Sequence, residues 1–91
     1  MRTVHLEVSG RVQGVGFRWF VREKARALKL RGWVKNRADG AVEVAASGDP
    51  AAIRQFRALL DKGPDGARVE RVRELEPIDA AALEEPFTIV R

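Results

Sequence analysis

The chain has 91 residues, 45% of them hydrophobic, with no cysteine, one histidine and a net charge of +4. That length predicts one domain, 1–91, with a single modest core, and the lack of cysteine excludes a disulfide framework and a thiolate nucleophile. No apolar run approaches the ~20 residues of a membrane span and no signal-peptide stretch opens the chain, so a cytoplasmic protein without a membrane partner is expected.

Residues 3–9 alternate, with Val4, Leu6 and Val8 on one face and Thr3, His5 and Glu7 on the other, the mark of a half-buried strand. A glycine-bearing loop follows, Gly10-Arg11-Val12-Gln13-Gly14-Val15-Gly16-Phe17-Arg18. Apolar residues at 17, 20, 21, 25, 27 and 28 then outline one face of a helix. Gly32 to Asn36 reads as a short strand and Ala41 to Ser47 as its return, joined by Arg37-Ala38-Asp39-Gly40, where Asp-Gly signals a hairpin. Asp49-Pro50 fits an N-cap followed by a first-turn proline. Ile53, Phe56, Leu59 and Leu60 supply the inner stripe of a second helix that Gly63-Pro64 stops. Residues 69–75 read as a strand, but Val69 and Val72 fall out of alternation, which predicts a bulge. The Ala-rich middle of 77–86 suits one helical turn, and 87–91 a terminal strand with Phe87 and Ile89 on one face.

The order β-α-β-β-α-β-β matches, in its first six elements, a ferredoxin-like split βαβ arrangement with both helices on one face of the sheet. Right-handed crossovers make the first two strands parallel, with the third between them. The glycine loop follows the first strand and Asn36 ends the second, so both fall at one edge of the sheet.

The loop reads as an anion cradle. Glycines allow the left-handed conformations of a backbone nest, the helix N-terminus favours negative charge, and Arg18 adds a guanidinium fork suited to phosphate oxygens. Residues 10–37 hold nine basic side chains and one acid, a balance of +8 that leaves −4 for the remainder; this places a positive field around the loop. Gly14 and Gly16 also suit a plain tight turn, and the basic residues a solvated helix face. A Walker loop needs Gly-Lys-Ser/Thr, and a dinucleotide fingerprint needs glycine where Trp19 stands, so a small anion is favoured over a nucleotide.

Asn36 suits a turn cap, but its amide has donors and an acceptor with which to orient a water. Gln13 reads as a solvated or turn-bonding side chain, His5 as a surface residue, Trp19 and Trp33 as core or rim packing, and Lys35 and Arg37 as surface charges with some steering effect. No His/Asp/Glu cluster has metal-ligand spacing, so no metal and no cofactor is expected. Phosphoryl transfer with so few groups needs a leaving group that departs unaided. A carboxylate qualifies, its conjugate acid having a pKa of about 4.3.

Residues 10–18, with Gly32-Trp33-Val34-Lys35-Asn36 and then Gly40, Val42 and Gly48, resemble the two signatures of the acylphosphatases. The resemblance runs along the whole chain. It implies a ferredoxin-like α+β fold with a fifth edge strand in the order 4-1-3-2-5, and a metal-independent enzyme that hydrolyses a small-molecule acyl phosphate to carboxylate and phosphate. By that resemblance Arg18 binds the phosphate, Asn36 positions the nucleophilic water, and the backbone amides of Gln13, Gly14, Val15, Gly16, Phe17 and Arg18 cradle phosphate oxygens. Gly16 stands where some members carry an aromatic residue, and Arg37 where a small polar residue is frequent. A monomer that binds no nucleic acid is expected. The rival readings are a non-catalytic anion-binding module and a nucleic-acid-binding module; the second needs aromatics on the central strands, and the first and third strands offer none.

Overall fold

The computed structural model describes residues 1–91. The elements are β1 (Arg2–Arg11), α1 (Phe17–Ala27), β2 (Arg31–Asn36), β3 (Val42–Gly48), α2 (Pro50–Lys62), β4 (Arg68–Glu74), a 3-10 turn at Ala80–Ala82 and β5 (Thr88–Ile89). The sheet order is β4-β1-β3-β2-β5, with β5 parallel to β2 and the other pairs antiparallel. This is a ferredoxin-like α+β fold with an added edge strand.

Alternation builds the core. Val4, Leu6 and Val8 of β1, Val34 of β2, and Val42, Val44 and Ala46 of β3 form one buried cluster with Phe17, Val21 and Ala25 of α1 and Ile53, Phe56 and Leu60 of α2. Both helices therefore cover the same face. Ala27, placed on the apolar stripe of α1 by periodicity, is exposed; it stands at the rim of that stripe, whereas Leu28, one position on, packs against the core. The terminal strand shrinks from the expected 87–91 to Thr88–Ile89, the two residues that pair with Trp33 and Val34 of β2. Phe87, just before it, is fully buried and meets Phe56 edge-on at 6.1 Å.

The expected bulge is present. Ser9 pairs with Arg71 and Gly10 with Val69, so Glu70 of β4 has no partner, and Val69 and Val72 both pack against the core. Gly10 is required there: at φ 124° a Cβ would collide with the Arg68 carbonyl.

The face of the sheet away from the helices is polar but not open. Glu7 is buried and paired with Arg73 at 2.9 Å and Arg37 at 3.1 Å. His5 is not the surface residue its outward position suggested. Its Nε2 lies 2.6 Å from Glu43 Oε2 and its Nδ1 2.7 Å from the Glu76 carbonyl, so it ties β1 to β3 and to the segment after β4.

Candidate active site

β1 and β2 flank β3 and run parallel, so the chain leaves both strands at one edge of the sheet. From β1 it enters residues 12–16, and from β2 the turn at 37–40. Between them opens a cavity of about 540 Å³ lined by Val12, Gly14, Gly16, Phe17, Arg18, Trp19, Asn36, Ile89 and Arg91. Arg18 and Asn36, eighteen positions apart in the chain, thus face one space.

The loop is built to leave donors free. Gly14 (φ 76°) and Gly16 (φ 77°) are left-handed, and a Cβ on either would meet no protein atom within 4 Å. Glycine is demanded there by backbone conformation, not by crowding. No backbone N–H of residues 13–16 donates to a backbone acceptor, and none to a side chain. Gly16 is the N-cap of α1 and supplies no capping side chain, so the first N–H groups of the helix also lack an internal acceptor. The cluster of free donors sits where the helix dipole is positive.

Arg18 is half-buried and makes neither an ion pair nor a hydrogen bond within the protein. The cavity has no acidic residue in its lining. Half of the eight other cations of the basic segment are engaged with acids or carbonyls elsewhere: Arg22 with Glu23 at 3.3 Å, Arg26 with the Phe87 carbonyl at 2.8 Å, Lys35 near Glu43 at 3.9 Å, and Arg37. Arg37, expected as a surface charge, is held by Glu7 (3.1 Å), Asp39 (3.4 Å) and Glu43 (4.0 Å). Of the expected steering field, Arg18 is the cation delivered to the cavity. Asn36 also stands apart. Its Oδ1 is buried and has no hydrogen-bond partner, an unusual state that calls for an explanation.

Of the six residues expected to supply amides, Gly14, Gly16, Phe17 and Arg18 line the cavity, whereas Gln13 and Val15 do not. Val15 packs half-buried against the core. The Gln13 side chain is not solvated: its Nε2 donates to the carbonyls of Arg37 (2.8 Å) and Ala41 (2.9 Å). These residues close the β2–β3 turn, with Arg37 N–H donating to the Ala41 carbonyl at 2.8 Å. One carboxamide therefore clamps the glycine loop to the segment that directly follows Asn36. The sequence hinted at a turn-bonding role but not at a partner twenty-four positions away.

Trp19, Ile89 and Arg91 were not foreseen in the site. Trp19 had a signal in its adjacency to Arg18. Ile89 and Arg91 had none, since their place depends on β5 docking beside β2.

The family model for acylphosphatases matches residues 4–89. The acylphosphatase of Geobacillus kaustophilus is 43% identical over 90 residues, which span 99% of this chain and 95% of its own. That of Thermococcus kodakarensis is 48% identical over 68 residues, 75% of each chain. Among solved structures, an acylphosphatase from Bacillus subtilis superposes with a TM-score of 0.86 at 40% identity, covering 100% of both chains. HypF of T. kodakarensis matches with a TM-score of 0.79 at 35% identity, over 100% of this chain and 12% of its own.

Proposed function

The chain belongs to the acylphosphatase family and is an enzyme of acyl phosphate hydrolysis; from that premise we propose that residues 1–91 act as one catalytic unit in which Arg18 and Asn36 perform the reaction. The phosphoryl group sits in the cradle of residues 13–18. Arg18 and the free amides bind its three terminal oxygens and stabilise the charge that shifts onto them in the transition state. Asn36 holds a water on the far side of phosphorus from the acyl oxygen. The water oxygen forms a bond to phosphorus as the bond to the acyl oxygen breaks. The carboxylate leaves with the bonding electrons, and the water gives up its protons to phosphate and solvent. The leaving group is a weak base and needs no general acid.

The observation that carries this reading is the pairing, on one cavity lined by no acidic side chain, of the Arg18 guanidinium and the Asn36 carboxamide, which the fold leaves without partners. Neither is spent on stability. All the groups invoked come from one chain, so a monomer suffices. On the two central strands, where a nucleic-acid-binding relative would present stacking aromatics, the face away from the helices carries Glu7 and Glu43, and its one tryptophan, Trp33, stands on β2 beside them, which favours the enzyme over that alternative.

Hydrolysis of acetyl phosphate in oxygen-18 water tests the chemistry. Label is expected in inorganic phosphate; label in acetate means attack at carbon and sinks the roles given to Arg18 and Asn36. Phosphate binding without turnover of any acyl phosphate would instead favour a non-catalytic anion-binding module.

A further inference from the structure

The two tryptophans have opposite surroundings. Trp33 is half-buried, with the His5 ring edge-on at 6.0 Å and Lys35 Nζ 5.3 Å from its centroid. Trp19 has 59% of its surface exposed and neither an aromatic ring nor a cation against it. Apart from Met1 it is the one exposed large hydrophobic side chain, and it lines the cavity. An indole left in water beside a phosphate cradle is an apolar surface without an internal purpose.

The size of the cavity points the same way. A phosphoryl group and its attacking water fill roughly the space of four water molecules, ~120 Å³ at ~30 Å³ each. Most of the 540 Å³ therefore lies beyond the reacting group, in the range of sites that enclose larger ligands. Beyond Gly14, Gly16, Arg18 and Asn36, the wall not already buried consists of Trp19, Ile89 and Arg91. Ile89 is half-buried and pairs with Val34, so strand pairing holds it in place.

We propose that Trp19 and Ile89 form a subsite for the acyl group and that this site favours planar, apolar acyl phosphates, aromatic ones above all, over the smallest ones. This rests on the acyl phosphate reading above. A flat ring stacks on the indole without displacing any protein contact, and offset stacking adds to the burial of its surface. The cradle recognises the phosphate common to all substrates, and Trp19 discriminates among the groups attached to it.

The test compares benzoyl phosphate with acetyl phosphate in the intact protein and in Trp19→Ala, Trp19→Phe and Arg91→Gln. The ratio of kcat/KM for the two substrates is expected to fall by about tenfold in Trp19→Ala and to recover in large part in Trp19→Phe. Inhibition by phenylphosphonate, relative to inorganic phosphate, should weaken by a similar factor in Trp19→Ala. Alanine suits the first turn of a helix, so folding is not the obstacle. An unchanged ratio overturns the proposal, as does a ratio that moves in Arg91→Gln and not in Trp19→Ala. If the intact protein hydrolyses neither substrate, the acyl phosphate reading itself fails, a result distinct from either of these.

Discussion

The two helices of this fold begin in opposite ways. α2 starts on Asp49, whose side chain accepts from the Ala51 N–H at 2.8 Å, with Pro50 as its first residue. Pro50 has no N–H to satisfy, that of Ala51 is satisfied from within, and the cap stabilises the helix. α1 starts on Gly16 at φ 77°, with no side-chain cap and no acid in its first turn. Its leading donors, those of the preceding loop and the Arg18 guanidinium have no partner within the protein. Both helices carry the same kind of dipole. One is neutralised by the protein itself; the other, on the reading proposed above, is held ready for the substrate phosphate.

The largest effects should come from the uncapped end. Arg18→Gln is expected to lower kcat/KM for acyl phosphates about 10³-fold, with thermal stability unchanged because Arg18 has no partner to lose. A loss under tenfold would remove it from the machinery. Asn36→Ala should cost about 10²-fold, mainly in kcat. Its melting temperature should hold or rise slightly, since the change deletes a buried carbonyl oxygen that has no hydrogen bond. Steady-state kinetics with calorimetry on the same samples reads both quantities.

A smaller effect sharpens the contrast. Gln13→Ala removes two hydrogen bonds that join the glycine loop to the turn after Asn36. It should destabilise the protein by about 1–2 kcal/mol, or several degrees in melting temperature. It should also lower turnover by about tenfold, as the cradle loosens relative to the attacking water. Stability lost with full activity would make the clamp structural only. The smallest effect on activity is expected at the capped helix. Asp49→Ala should cost about 1 kcal/mol of stability and leave kcat and KM unchanged. A kinetic defect there would break the division between a structural and a functional helix start.

Much of this was legible in the chain. The alternation of Val4, Leu6 and Val8, the Asp49-Pro50 cap and the Asp39-Gly40 turn each express a local rule, and each appears where expected. The left-handed Gly14 and Gly16 and the charge of Arg18 beside them were readable because conformational need and charge are properties of the residues themselves. The out-of-phase Val69 and Val72 announced a bulge, though not that Glu70 is the unpaired residue, which depends on the register with β1. Arg37 and His5 were misjudged because their partners, Glu7 and Glu43, lie on other strands and become neighbours only when the sheet forms.

Local conformation and pattern were therefore set by the sequence alone: the elements, the left-handed loop and the uncapped helix. Tertiary structure decided which of them meet. It placed Asn36 across a cavity from the loop, turned the Gln13 amide into a clamp, and brought Ile89 and Arg91 to the rim beside an exposed indole. The physical reason is range. Dihedral preference and periodicity act over a few residues, whereas a site at the edge of a sheet is assembled by strand pairing and core packing between segments that share no local signal.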